Sequence, residues 1–182
     1  MNRPAPPEGK QLMRYADGPT TEARTVVHAP IEVVWSLITD IDLPARFSSE
    51  FQGAEWVDDG PALGARFTGR NQHAAIGEWQ TTCTVTSFTD CDTFEWAVGD
   101  PDQPSARWTF TLEPGNGGVV LRQRVRIGPA PSGLTPAIEA MPDKEERIIA
   151  RRLSEHQANM QATIDGVKHL AENTSTDPRR TR

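Results

Sequence analysis

The stretch GEWQTTCTVTS, residues 77–87, decides the fold. Trp79, Thr81, Cys83 and Val85 fall on one side of an extended chain, and Glu78, Gln80, Thr82, Thr84 and Thr86 on the other. A period of two is what a strand with one covered face requires, because successive side chains point to opposite faces of a sheet. The Trp/Thr/Cys/Val face is therefore expected to point inward. Working outward, the same parity gives Phe67, Gly69 and Asn71 ahead of it. Behind it come Phe94, Trp96 and Val98; Trp108, Phe110 and Leu112; and Val119, Leu121, Gln123, Val125 and Ile127. Turn chemistry separates the runs at Asp59-Gly60-Pro61, Ala75-Ile76-Gly77, Asp90 to Asp92, Gly99 to Pro104 and Gly115 to Gly118. The spacing predicts six consecutive strands from Phe51 onward in meander order.

The flanks complete the architecture. Thr25, Val26 and Val27 form a short β-prone run. Pro30 then suits a first helical position, where its missing N–H would be unpaired anyway, and Glu32 complements the helix dipole. Val34, Leu37, Ile38 and Ile41 carry that helix to about Thr39, before Pro44 ends it. After a Pro/Gly-rich stretch from Gly128 to Pro136, the acids Asp143, Glu145 and Glu146 open a second helix. Its stripe of Ile149, Leu153, His156, Met160, Ile164 and Val167 runs to about Ala171, so a helix of roughly 29 residues would span about 43 Å. Only the sheet offers enough apolar surface to cover that stripe. The fold class is thus α+β: a curved antiparallel sheet of about seven strands wrapped around a long C-terminal helix, with a short helical insertion after strand 1. Residues 1–22 and 173–182 lack periodicity and are expected to be disordered tails around one domain at 23–172.

Composition narrows the function. The chain has 182 residues, enough for one core without staples, and its 24% charged and 36% hydrophobic content suits a globular chain. No apolar run is long enough to span a bilayer, and the first twenty residues do not read as a signal peptide. A cytoplasmic protein is expected. Cys83 and Cys91 are the only cysteines, which argues against a disulfide framework. The formal charge of −6 disfavours nucleic acid as a partner. His28, His73, His156 and His169 are scattered without metal-ligand spacing, so no metal and no cofactor are expected. Gly115-Asn116-Gly117-Gly118 joins two strands and reads as a hairpin turn, not a phosphate loop. Arg122, Arg124 and Arg126 line an outward strand face, the usual place for solvated charge. No serine or cysteine stands in a nucleophile setting.

What remains is the inward face. Gly69, Thr81 and Cys83 beside Trp79 and Trp96 mix small and large residues, which favours a cavity between sheet and helix; a solid aromatic core is the competing reading for any one of them. Asn71 and Gln123 fall by parity on this apolar face, where an unpaired amide costs about 1–3 kcal/mol. Each needs a partner: a ligand group, a backbone group or a trapped water. His156 lies on the helix stripe, either as a core hydrogen-bonding group or as an acid or base. Arg152 beside the stripe is expected to reach solvent. His73 and Glu78 flank one hairpin as a weaker acid/base candidate pair.

The order of elements resembles the START-like (SRPBCC) superfamily and its helix-grip fold over residues 23–171. Local pieces are similar to its polyketide cyclase/dehydrase-like branch: Val27-His28-Ala29-Pro30 with Val34-Trp35, Gly64-Ala65-Arg66-Phe67 with Gly69 and Asn71, and Trp79 with Thr81-Thr82-Cys83. Phe47 stands where that branch often carries a tryptophan after the first helix. The resemblance implies a cavity for a small hydrophobic molecule, polyketide-, lipid- or aromatic-like, with an enzyme of the cyclase, aromatase or dehydratase type as the alternative. The ligand-binding set is then Phe47 and Phe51 ahead of the sheet; Phe67, Asn71, Trp79, Thr81 and Cys83 on its first half; Trp96, Trp108, Phe110 and Gln123 on its second; and His156 and Met160 on the helix.

Overall fold

The computed structural model describes residues 13–175. Seven strands form one antiparallel sheet: β1 (Thr20–Val27), β2 (Phe51–Trp56), β3 (Arg66–His73), β4 (Gly77–Thr89), β5 (Thr93–Gly99), β6 (Pro104–Gly115) and β7 (Gly118–Ile127). Their spatial order is β1-β7-β6-β5-β4-β3-β2, so six strands run as a meander and β1 closes against the last of them. Three helices complete the fold: α1 (Ile31–Ile38), α2 (Thr135–Ala140) and α3 (Glu145–Ser175). At 1.5 Å per residue, the 31 residues of α3 reach about 46 Å across the curled sheet.

The alternation read from sequence sets the pleat. In β7, Val119, Leu121, Gln123, Val125 and Ile127 are buried while Arg124 and Arg126 are exposed. The parity of β4 holds through Val85 and then breaks at a bulge between Val85 and Ser87, after which Phe88 pairs with Phe94. A single extra residue turns the strand and re-aims the side chains beyond it. Phe88 thereby joins an aromatic chain in which Trp35, Phe88, Phe94 and Trp96 pack ring to ring at 5.2–5.8 Å. α3 packs most extensively on β1, with further contacts to β7 and α1. Ile149, Ile164, Val167 and Ala171 are fully buried there. No helix among the described residues is long and apolar enough to cross a membrane.

Two boundaries differ from the sequence reading. Residues 13–22 belong to the fold and not to an N-terminal tail. β1 begins at Thr20, and the buried Tyr15 donates its hydroxyl proton to the Ala130 carbonyl at 2.9 Å. The Tyr15 N–H donates to Glu145 Oε1 at 2.8 Å, and Arg14 pairs with the same carboxylate, so this segment holds the first residue of α3. Tyr15, the Glu145 contacts and the pairing of Thr20–Glu22 with β7 together tie down a segment whose Pro, Gly and charge content reads as mobile. At the other end α3 continues to Ser175, past residue 172. The remaining tail residues, 1–12 and 176–182, lie outside the described residues. The Pro/Gly stretch after β7 also contains α2, which sequence periodicity did not separate from loop.

Candidate functional site

Between the concave face of the sheet and α3 lies a cavity of about 490 Å³. Its wall on the sheet side is aromatic. Phe67 from β3, Trp79 from β4, Phe94 and Trp96 from β5, and Trp108 and Phe110 from β6 all line it. Trp96 sits at the centre, 5.9 Å from Phe67, 6.4 Å from a nearly parallel Trp108 and 6.0 Å from Phe110. Trp79, Trp96 and Trp108 are only half-buried although they sit on the concave face. Their uncovered surface turns toward the cavity. Gly69 leaves a notch beside Thr81 and Phe51: a Cβ there would come within 3.1 Å of Thr81 Oγ1 and 3.3 Å of the Phe51 ring.

The helix side is polar by comparison. Arg152, His156, Asn159 and Thr163, at helical steps of four, three and four, turn one row of α3 toward the cavity alongside Met160. Arg152 is buried, against the expectation that it reaches solvent. Its guanidinium forks onto Glu50, with Nη1 donating to Oε2 at 2.7 Å and Nη2 to Oε1 at 2.5 Å, and Nη1 reaches Glu155 at 3.3 Å. Burial opposes the charge of Arg152, but the hydrogen bonds and charge of Glu50, then of Glu155, outweigh it and raise its pKa. His73 approaches this network at 3.4 Å from Glu155, so it pairs across to α3 rather than with Glu78 in its own hairpin. Asn159 Oδ1 accepts from both the N–H and the hydroxyl of Ser49, tying the segment before β2 to the same helix row.

His156 is 7% exposed and meets the Trp108 ring edge-on at 5.0 Å. Burial, then the positive charge of Arg152 and of His73, pushes its pKa down to about 3, so the imidazole is neutral at pH 7. Neither ring nitrogen has a protein hydrogen-bond partner among the described residues. Cys83 is likewise held in its neutral form. Burial pushes its thiol up to about 12, and it only donates weakly to Thr81 at 3.8 Å.

Gln123 is 5% exposed, and its Oε1 has no hydrogen-bond partner among the described residues. Its cross-strand neighbours are Ala23 on β1 and Phe110 on β6, which offer no side-chain donor. A stranded amide of this kind costs about 1–3 kcal/mol, so its presence on the cavity wall calls for a reason. Asn71 lies at the opposite end, half-buried where β3 meets Phe51 and Trp79 in register.

The cavity lining includes Phe51, Phe67, Asn71, Trp79, Thr81, Cys83, Trp96, Trp108, Phe110, Gln123, His156 and Met160. Phe47 is not part of the lining. It ends the 3-10 turn Leu43–Arg46 and packs on Gly166 of α3, where an added Cβ would come within 2.4 Å of its ring, and Arg46 stacks on it at 5.6 Å. Glu50, Asn159 and Thr163 were missed by sequence reasoning. Asn159 and Thr163 carried a readable signal, their helical spacing from His156. Glu50 carried none, since nothing in Ser48-Ser49-Glu50 marks a loop acid for burial.

Comparison with known proteins agrees with this geometry. A family model described as polyketide cyclase / dehydrase and lipid transport matches residues 19–164. The solution structure of a polyketide-cyclase-like protein of Corynebacterium glutamicum is 27% identical, with a TM-score of 0.60 over 90% of this chain and 97% of that one. The di-domain ARO/CYC protein StfQ of the steffimycin biosynthetic pathway is 15% identical, with a TM-score of 0.66 over 87% of this chain. This chain spans 52% of StfQ, so the likeness there is to about half of that protein and concerns the fold. A Thermus thermophilus protein is 15% identical, with a TM-score of 0.59 over 87% of this chain and the whole of that one. A search of curated proteins found no match to the sequence.

Proposed function

The chain belongs to the polyketide cyclase/dehydrase and lipid transport family, and from that premise we propose that it binds a small, predominantly apolar molecule between its sheet and α3. The observation that carries this reading is the unfilled volume of about 490 Å³ behind an aromatic wall. At ~30 Å³ per water molecule that is room for about sixteen waters, and pockets of this size and character hold drug-sized ligands. Phe67, Trp79, Trp96, Trp108 and Phe110 supply affinity through buried area and ring contact, while Asn71, Gln123 and His156 orient the guest.

Catalysis in the same cavity would need a group that exchanges a proton near neutral pH. His156 is a poor choice, because a pKa of about 3 leaves it a very weak base at pH 7. Cys83, with its thiol near 12, is no better as a nucleophile. Neither of these two buried groups is suited to that role, and cyclase or dehydratase chemistry in the same cavity stays the alternative to binding. We place this activity in the cytoplasm with a small-molecule partner and not a nucleic acid, supported by the two free thiols and the net charge of −6.

The test is native mass spectrometry of the purified protein, followed by thermal melts with the extracted compound returned. A retained apolar molecule that raises Tm and is recovered chemically unchanged is the expected result. A guest converted to product would replace binding with catalysis. An empty protein whose melting no apolar compound shifts would remove the binding reading.

A further inference from the structure

The cavity wall carries information about the guest beyond its greasiness. Gln123 Oε1 is an acceptor with no donor, buried to 95% and facing the cavity. The amide of Gln123 is served by a hydroxyl in either orientation, since O–H donates to Oε1 and its oxygen accepts from Nε2. His156, which also has no protein hydrogen bond among the described residues, is neutral and so offers one donor and one acceptor. A hydroxyl complements that pair, whereas a bare carbonyl or ether can only accept and leaves Oε1 stranded.

Charge on the guest is opposed by the remaining lining. The charged side chains that face the cavity are Asp40, Glu50 and Arg152. Arg152 is the only cation of the three, and both its Nη atoms are already engaged by Glu50, with Glu155 a second partner. A carboxylate or phosphate entering the cavity would shed its water beside an arginine already matched by carboxylates. A cationic guest would meet the buried guanidinium itself; of the two lining carboxylates Glu50 is already committed to it, and Asp40 is exposed and accepts from the Asp42 N–H. We propose, resting on the binding reading, that the guest is an uncharged, hydroxyl-bearing ring molecule whose O–H donates to Gln123, and that Gln123 is the residue that selects for that hydroxyl.

Three probes of one size separate the contributions: naphthalene, 2-naphthol and 2-naphthoate, titrated at pH 7 while the quenching of tryptophan emission is followed. Wild-type protein is expected to bind 2-naphthol about fivefold more tightly than naphthalene, the factor that one net hydrogen bond supplies. It is expected to bind 2-naphthoate more weakly than either. In Gln123→Leu the order of the first two reverses, because naphthalene gains a wall without a stranded amide and naphthol loses its acceptor. Gln123→Asn, which keeps an amide but draws it back by one methylene, retains part of the preference. A folded Q123L that still prefers naphthol about fivefold overturns the role of Gln123. Equal binding of naphthol and naphthalene to wild type, or preferred binding of naphthoate, overturns the selection for a neutral hydroxyl while the apolar cavity stands. Failure of all three probes to bind removes the cavity reading together with it.

Discussion

Truncating Glu50 to alanine tests how the polar end of the cavity is held. In the folded protein both carboxylate oxygens of Glu50 are committed to Arg152, at 2.7 and 2.5 Å, and each side chain is only 10% exposed. Glu50→Ala leaves a guanidinium inside the fold with one remaining partner, Glu155, at 3.3 Å and 28% exposed. Breaking a buried pair by removing one member costs ~3–5 kcal/mol, because the other charge stays desolvated. A partly exposed pair such as Arg152–Glu155 returns at most ~1 kcal/mol of that. The expected loss is therefore about 3 kcal/mol, or about 6–12 °C in Tm for a chain of this length. Urea melts should show Cm falling with m unchanged. The double variant Glu50→Met with Arg152→Met removes both charges at similar volume and should return to within about 1 kcal/mol of wild type. A single variant within ~0.5 kcal/mol of wild type, or a double variant as damaged as the single, would refute the reasoning.

Two further predictions concern α3. His156 is neutral in the fold, with its pKa down at about 3 from an ordinary 6.5. The unfolded chain binds a proton there between those values and the folded chain does not, so stability is full above pH 6.5 and falls as pH drops below it. Between pH 7.5 and 5.5 this one group should cost about 1.4 kcal/mol, and His156→Gln should flatten the decline by that amount in paired urea melts; identical slopes would show that the imidazole is charged in the fold. Gly166 sits in the interior of α3, where alanine would ordinarily add about 1 kcal/mol. Here the new Cβ meets three Phe47 ring carbons at 2.4–2.5 Å, so Gly166→Ala should instead destabilise by about 1–2 kcal/mol. In a Phe47→Ala background the same change should become stabilising, and additivity of the two would mean that the ring does not occupy that space.

The fold was legible because it depends on period. The alternation of residues 77–87, and its echo in β3, β5, β6 and β7, determines which side chains face inward. Most of the candidate lining followed from parity alone. What parity cannot see is where a loop folds back. Phe47 was assigned inward by resemblance, yet its 3-10 turn delivers it to Gly166. Glu50 and Arg152 lie 102 positions apart, and neither marks the other in sequence. Arg152 did leave a trace, since it sits three residues after Ile149 and four before His156, on the helix row that must face the sheet. A cation on such a row is either snorkelling or paired, and only the neighbouring loop decides which. Tyr15 was overlooked for the same reason: its partners, Ala130 and Glu145, are distant in sequence.

The two walls of the cavity have different chemistry, and that difference bears on why the volume is left open. Packing is tight where α3 meets β1, where Ile149, Ile164, Val167 and Ala171 are fully buried. Across the rest of the sheet the helix turns Arg152, His156, Asn159 and Thr163 toward Trp79, Trp96 and Trp108. Had this region been selected as a core, apolar residues on that helix row would stabilise the fold at little structural cost, and Leu or Met at Gln123 would remove a stranded amide. The chain retains polar groups there and fixes them: Arg152 by Glu50, Asn159 by Ser49, Thr163 by the Asn159 carbonyl. Held in this way they cannot collapse onto the aromatic wall. Departures from the most stable sequence that are supported by their own hydrogen bonds are expected at functional sites. The polar row thus holds its side chains back from the aromatic wall, and Gln123, whose Oε1 has no donor among the described residues, is the position where the proposed guest would complete the structure.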